Sequence, residues 1–241
     1  MPLFPVRPFR VVERRDDAAQ TFSLVLTPAD GEPLFMFKAG QFVMLHLFNE
    51  DGSVWAKAAY SLATAPSECT DTIELGIKLH GDFTKRASKL KVGDTVGIQA
   101  PYGAFVLKDD EPRIVFLAAG VGVTPLRSMI RESLLTQKNL ELVLFYSDKT
   151  RADMAYEAEF RALAAEYPNF RFIPFITRES PEDWDGELTR IEKTIIEKYL
   201  TDWNVGRYCM CGPDEFMDAM KAMLEGVGVD VKTKLQRESF G

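Results

Sequence analysis

The chain has 241 residues, of which 46% are hydrophobic and 27% are charged, and its formal net charge is −7. That length suffices for one large domain or two smaller ones, each with a buried core. The excess of negative charge lies in the second part of the chain. Residues 1–108 hold twelve basic and twelve acidic residues, whereas residues 109–241 hold seventeen basic and twenty-four acidic residues. Nucleic acid requires a concentrated positive surface and is not expected as a partner.

The N-terminus and the cysteines predict a cytoplasmic location. Residues 1–10 carry prolines and arginines where a secretory signal needs an unbroken apolar stretch, and the longest apolar run, 114–123, is too short to span a bilayer. Three cysteines are too few for a disulfide framework or an iron–sulfur cluster. We expect no membrane partner and no metal, with one of Cys209 and Cys211 packed and the other facing a ligand at a strand end.

Up to about Leu107 the pattern consists of short β-rich segments separated by turn residues. The clearest segments are Thr21–Leu26, Gln41–Phe48, Thr72–Leu79 and Thr95–Gln99. This pattern predicts a closed antiparallel barrel or a sandwich, and the spacing leaves both open.

From Arg113 onward, an apolar strand followed by a helix recurs, which predicts a mostly parallel, doubly wound sheet. The predicted strands are 114–118, 142–146, 170–176 and 207–210, with a half-exposed strand over 229–235. The predicted helices are 124–136, 154–166, 213–225 and one that a capping box at Thr189–Glu192 opens and that runs to Leu200. We predict two domains, residues 1–108 and residues 109–241.

In such a sheet, ligands bind where strands end and helices begin. At the first of these loops Gly120 and Gly122 permit close approach to a pyrophosphate, and Thr124 can donate or cap. The dinucleotide fingerprint is incomplete because Pro125 stands in place of its third glycine, so a plain structural turn remains the alternative.

Two further loops have the same placement. In the second, Asp148 suits the hydroxyls of a ribose, whereas Ser147, Lys149 and Arg151 suit a 2′-phosphate, so NADH and NADPH both remain open. The third loop is Cys211–Gly212–Pro213.

Taken together, the motifs resemble the ferredoxin-NADP reductase superfamily, in particular its compact flavin-dependent oxidoreductases, over nearly the whole chain. The motifs are Gly40–Gln–Phe42, Tyr60–Ser61, Gly81–Asp–Phe–Thr84, Pro101–Tyr–Gly103, Ala119–Pro125, Cys211–Gly–Pro213 and Glu238–Ser–Phe240.

The resemblance implies that a six-stranded barrel in the first domain holds FAD, with FMN as the alternative. Tyr60 is then expected to pack against the isoalloxazine and Ser61 to lie near flavin N5. Ile77 and Lys78 would line the polar edge of the ring. The segment Gly81, Asp82, Phe83 and Thr84 would receive the pyrophosphate through backbone amides and the Thr84 hydroxyl.

One position departs from the family pattern. An arginine usually stands two residues before the tyrosine and pairs with a flavin phosphate, but this chain has Ala58. We hypothesise that Lys57, Lys85 or Arg86 supplies the missing charge. The alternative is that flavin binds weakly and behaves as a substrate.

For the second domain, the resemblance implies an NADH or NADPH site. Cys211 would lie beside the nicotinamide and help to align it, with Gly212 and Pro213 in the same loop. Glu238 resembles an acid that neighbours the serine and the cysteine, and Phe240 would approach the flavin or the nicotinamide. A tail without function is the alternative for this terminus.

These expectations add up to an NAD(P)H-dependent flavoprotein oxidoreductase. Hydride passes from NAD(P)H to bound flavin, and electrons continue to a separate acceptor, such as a ferredoxin, a flavodoxin or an oxygenase component. The alternatives are a free-flavin reductase, or an electron-transfer or NAD(P)-binding subunit of a larger complex.

Overall fold

The computed structural model describes residues 4–108, 111–137 and 139–239. These residues form two compact units. The first runs to Leu107 and also takes in Arg127–Glu132, and the second holds Lys108–Leu126 and the chain from Ser133 onward. The sequence pattern contained no indication that a short segment beyond residue 108 groups with the first unit.

The first unit is built on a six-stranded antiparallel sheet with the order β4-β3-β6-β1-β2-β5. One helix, α1 (Gly81–Ala87), follows the fifth strand. The two edge strands are joined at one point, where Leu62 pairs antiparallel with Leu75. The strands are β1 (Arg7–Ala18), β2 (Thr21–Pro28), β3 (Phe42–Phe48), β4 (Val54–Ser61), β5 (Ile73–Lys78) and β6 (Thr95–Tyr102).

Alternation of side chains explains the core of this unit. Along β3, Val43, Leu45 and Leu47 are buried and join one apolar cluster with residues of the other strands. Successive side chains of a strand point to opposite faces, so every second residue of β3 supplies this cluster. The predicted antiparallel β domain is confirmed.

The second unit contains a five-stranded parallel sheet with the order β11-β10-β7-β8-β9. The prediction of a parallel sheet with alternating strands and helices is confirmed. The strands are β7 (Arg113–Ala119), β8 (Glu141–Asp148), β9 (Phe170–Ile176), β10 (Arg207–Gly212) and β11 (Leu235–Ser239). The helices are α2 (Val123–Thr136), α3 (Glu157–Glu166), α4 (Lys193–Ile196), α5 (Asp214–Gly226) and α6 (Val231–Lys234).

Two predicted elements of this unit were wrong. The capping box at Thr189 does not open a helix, because Glu187 exchanges backbone hydrogen bonds with Pro174 and Ile176 at the edge of β9, which holds the preceding chain extended. Helix α4 begins only at Lys193. The predicted strand over 229–235 is mostly helix α6, which the Asp230 carboxylate caps by accepting from the backbone N–H of Lys232 at 3.1 Å.

None of the helices that the structure describes is long and apolar enough to cross a bilayer.

Candidate active site

Three predicted ligand loops lie at the same edge of the parallel sheet. Strands β10, β7 and β8 are neighbours, and they run into the loops at Gly212, Gly120 and Asp148. Because the carboxyl ends of parallel strands meet at one edge, this arrangement is the usual ligand site of a doubly wound sheet.

Two of the three loops are in direct contact. A Cβ atom built on Gly122 would lie 2.3 Å from the Cys211 carbonyl oxygen and 2.7 Å from the Gly212 nitrogen. Only glycine fits at position 122 with the two backbones this close. Gly120 has a φ of +55°, a conformation that favours glycine, and lies in the 3-10 turn that precedes α2.

The side chains of Thr124 and Pro125, which follow this turn, stabilise the start of helix α2. The Thr124 hydroxyl is buried and donates to the Val121 carbonyl at 2.9 Å, so it is engaged within the chain. Pro125 lies in the first turn of α2, where the lack of an N–H costs no helical hydrogen bond.

Cys211 and Glu238 are brought together by the pairing of β10 with β11. Cys211 is fully buried, and its thiol lies 3.1 Å from the Glu238 carbonyl oxygen. Burial, with the nearby Glu238 carboxylate, raises the pKa of the Cys211 thiol far above its usual value, so the thiol stays protonated. Cys209, one pleat earlier, is buried too, with its sulfur 3.9 Å from the Gln236 side chain, and burial raises its pKa to about 12.

Glu238 carries an unusual carboxyl group. Its Oε2 atom is buried and makes no hydrogen bond to any residue that the structure describes. Burial raises the pKa of Glu238 to about 7, so the group can hold or release a proton near neutrality.

Two further predicted site residues flank this region of the sequence. Phe240 lies outside the described residues, and Pro213 is the N-cap of α5.

The contacts of the ribose loop bear on the conflict that the sequence left open. Arg151 donates from Nε to Glu157 and from Nη1 to Asp183, each at 3.0 Å, and a Glu179 carboxylate accepts from its backbone N–H. The Asp148 carboxylate accepts from the Lys149 backbone at 2.8 Å, and Ser147 is half-buried at the end of β8. The one arginine of this loop is therefore already neutralised by acids of its own chain.

On the flavin side, Tyr60 and Ser61 form the end of β4. Ser61 is buried, and its Oγ makes no hydrogen bond to any described residue. Tyr60 is half-buried, and burial raises the pKa of its phenol to about 12, so the group is neutral. Lys57 is exposed on the same strand, three residues before Tyr60 and therefore on its opposite face.

The other predicted flavin residues lie on β5 and α1. The Ile77 side chain belongs to the apolar core, so only its backbone can face a ligand, whereas Lys78 is half-exposed. The Thr84 hydroxyl accepts from the backbone N–H of His80 at 2.6 Å and lies 2.8 Å from the His80 carbonyl, so it fixes the start of α1. Gly81 has a φ of +74° and Asp82 is exposed.

Phe83 forms part of a row of three rings that sequence analysis did not foresee. Its ring stacks on Tyr60 at 5.9 Å and on Trp55 at 6.1 Å between centroids. No motif singled out Trp55, because the strand that carries it was not among the predicted segments.

A flavin fits these residues on chemical grounds. A buried hydroxyl with no hydrogen-bond partner in the described chain is costly unless a ligand completes it, and Ser61 is such a group. Tyr60 adds a neutral aromatic face beside it.

Family models cover most of the chain. The oxidoreductase FAD-binding domain matches residues 9–107, and the oxidoreductase NAD-binding domain matches residues 116–222. One subunit of the Na(+)-translocating NADH-quinone reductase of Neisseria meningitidis is 31% identical over 188 residues, covering 71% of this chain and 46% of that protein. The same subunit from Yersinia pestis is 33% identical over 199 residues, covering 76% and 48%. The chain thus spans about half the length of these relatives.

Solved structures share the fold. The flavohem-like FAD/NAD-binding domain of nitric oxide dioxygenase from Vibrio cholerae has a TM-score of 0.86 at 25% identity, with 98% of each chain covered. A ferredoxin NADP+ reductase from Neisseria gonorrhoeae, solved with bound FAD and NADP, has a TM-score of 0.82 at 21% identity, with 97% and 98% covered.

Proposed function

The chain belongs to the ferredoxin-NADP reductase superfamily, and from that membership we propose that it takes a hydride from NADH and passes electrons to a separate acceptor protein. It is an oxidoreductase with an FAD-binding domain followed by an NAD-binding domain. The acceptor, the choice of NADH and a cytoplasmic location are parts of the proposal.

The observation that carries the proposal is the unpartnered Ser61 hydroxyl next to Tyr60 at the end of β4, for which the described residues offer no hydrogen bond. The redox chemistry itself is supplied by FAD when bound, which accepts two electrons and can release them singly. Hydride transfer depends mainly on positioning, so the residues of this chain act by binding and orienting. Ser61 offers a hydroxyl, and Tyr60 offers a ring face.

In the second unit, the glycine turn at 120–122 packs against the Cys211–Gly212 backbone at the sheet edge where we place the dinucleotide. The protonated, buried Cys211 thiol is a small, neutral side chain beside these loops and is unsuited to nucleophilic attack. Glu238 can hold a proton at Oε2 close to neutral pH.

NADH is favoured over NADPH because Arg151 is already paired with Glu157 and Asp183. A 2′-phosphate at this loop would meet a neutralised guanidinium and additional carboxylates. The relatives of this chain carry NADH in their names, which supports the same choice.

A second candidate is the electron-input subunit of a larger complex. The relatives are subunits of an Na(+)-translocating enzyme, so a membrane-bound partner belongs among the candidates and the expectation of no membrane partner is left without support. A free-flavin reductase is the third candidate, favoured by Ala58, whose side chain cannot pair with a flavin phosphate.

Anaerobic stopped-flow mixing of the purified protein with NADH and, in parallel, NADPH tests the proposal. We expect a flavin spectrum that bleaches faster with NADH, followed by reoxidation when an acceptor protein is added. Colourless protein that reduces added riboflavin or FAD supports the free-flavin reductase. Bound flavin that neither NADH nor NADPH bleaches contradicts the proposed activity.

A further inference from the structure

The Arg86 guanidinium is held in place by a backbone carbonyl and an aromatic ring. Its Nη2 donates to the Phe48 carbonyl at 2.7 Å, and its planar head lies 4.6 Å from the centre of the Trp55 ring. Arg15 and Arg127, by contrast, both pair with Glu74. No carboxylate forms an ion pair with Arg86 within the described ranges, so most of its five donors remain for solvent or a ligand.

A β-bulge explains how Trp55 reaches Arg86. Phe48 pairs with Val54 and Leu47 pairs with Ala56, so Trp55 is an extra residue in β4. An unbroken strand would put Trp55 and Tyr60 on opposite faces, since they are five residues apart. A bulge turns the extra side chain, and both rings stack on Phe83 of α1.

That face of β4 also carries Ala58, an even number of residues from Tyr60. The small Ala58 leaves room where a longer cation would otherwise project. Arg86 reaches the same aromatic row from α1, by way of Trp55.

The other groups considered for a phosphate contact are less suited to it. Lys57 lies on the face of β4 opposite to Tyr60. The Lys85 side chain is 71% exposed and lies 4.0 Å from Asp82. The Thr84 hydroxyl is engaged by the His80 backbone.

We propose that Arg86, positioned by Trp55, binds a phosphate group of the flavin nucleotide and takes over the contact that Ala58 cannot make. This inference rests on the proposed function, because it presumes a flavin site on the first unit. The group to be bound is the phosphate of a nucleotide that also carries an aromatic ring system. A planar guanidinium with several free donors is well suited to bind such a phosphate.

Three flavins that differ in phosphate content test the assignment. Riboflavin has no phosphate, FMN has one and FAD has two, and dissociation constants are measured by flavin fluorescence with the full chain freed of cofactor. Arg86→Ala is expected to weaken FAD and FMN about ten- to a hundredfold and to leave riboflavin unchanged. Trp55→Leu should weaken the same two ligands by a smaller factor, because it frees the guanidinium. Lys89→Ala, a cation of the segment that follows α1, is the matched control and should change none of them.

If Arg86→Ala loses equal affinity for all three flavins, Arg86 only connects α1 to β3 and the assignment is wrong. Unchanged affinity of this variant for FAD would also overturn the assignment. A thermal unfolding curve of each variant separates misfolding from lost binding. The proposed function fails in a different way: flavin binds, with or without the phosphate dependence, but NADH does not reduce it.

Discussion

At the scale of single residues, a substitution of Ser61 distinguishes a ligand-binding role of this side chain from a structural one. Its buried hydroxyl has no partner among the described residues, which costs folding about 1–3 kcal/mol. We expect Ser61→Ala to keep or raise the melting temperature while slowing flavin reduction by NADH about tenfold or more. Differential scanning fluorimetry and anaerobic stopped-flow measure the two effects.

Ser128 provides the matched control, because it is equally buried but donates to the Thr64 carbonyl at 2.6 Å. Ser128→Ala should lose about 1 kcal/mol of stability and leave the reduction rate unchanged. If Ser61→Ala behaves like this control, Ser61 is a structural residue and the site assignment is wrong.

Glu238 makes the stability of the protein depend on pH in a definite direction. Its pKa is raised from about 4.5 to about 7 by burial, so the folded chain binds a proton more tightly than the unfolded chain. The contribution to stability is present below about pH 4.5 and is lost as the pH rises through about 7. Between these limits the free energy of unfolding should fall by about 1–2 kcal/mol, a range reduced for partial exposure.

Urea unfolding of the wild type and Glu238→Gln at several pH values tests this dependence. The amide cannot titrate, so the variant should lack the decrease seen in the wild type. Parallel stability curves for the two proteins would show that the Glu238 carboxyl is solvated in the folded state.

At the scale of elements, the approach of two loops depends on Gly122. The alanine methyl would lie 2.3 Å from the Cys211 carbonyl oxygen, which requires a shift of backbone on both sides. We expect Gly122→Ala to destabilise the protein by about 2–3 kcal/mol and to weaken NADH binding at least tenfold. Gly226→Ala in α5 is the control, since its Cβ meets nothing within 4 Å, and it should be neutral or stabilising. Similar losses in both variants would contradict the steric explanation.

The loop between β8 and α3 contains Arg151, the arginine that bears on the choice between NADH and NADPH. Because Glu157 and Asp183 neutralise Arg151, Arg151→Ala should change the ratio of NADH to NADPH reduction rates less than about threefold. An arginine that binds a 2′-phosphate would give the opposite result, namely a preference for NADPH that the substitution abolishes. Single-turnover reduction with each coenzyme distinguishes the two outcomes.

Periodicity predicted most strands of both sheets, because burial on one or both faces leaves a clear pattern in sequence. It failed where contacts distant in sequence decide the conformation. The Thr189 capping box is overridden by the hydrogen bonds of Glu187 to β9, and the alternation at 229–235 is overridden by the Asp230 cap. Only the family resemblance implied that Glu238 lies near Cys211, which the pairing of β10 with β11 brings about, whereas the bulge at Trp55 has no local signal in the sequence.

At the scale of the whole molecule, each unit contains a candidate site made from its own residues. The buried Ser61 hydroxyl and the ring of Tyr60 belong to the first unit, and the contact of Gly122 with Cys211 belongs to the second. The two ligands should therefore leave separate footprints on the chain.

Hydrogen exchange of the full chain, measured with FAD and with NAD+ in turn, tests this division. FAD at a hundred times its dissociation constant stabilises the folded state by about 2.7 kcal/mol and should slow exchange in β4 and α1. NAD+ should slow exchange in the 120–126 and 211–213 segments. Removing FAD should reverse only the first footprint, since the second depends on loops of the parallel sheet. Protection of the second unit alone by FAD would contradict a flavin site on the antiparallel sheet.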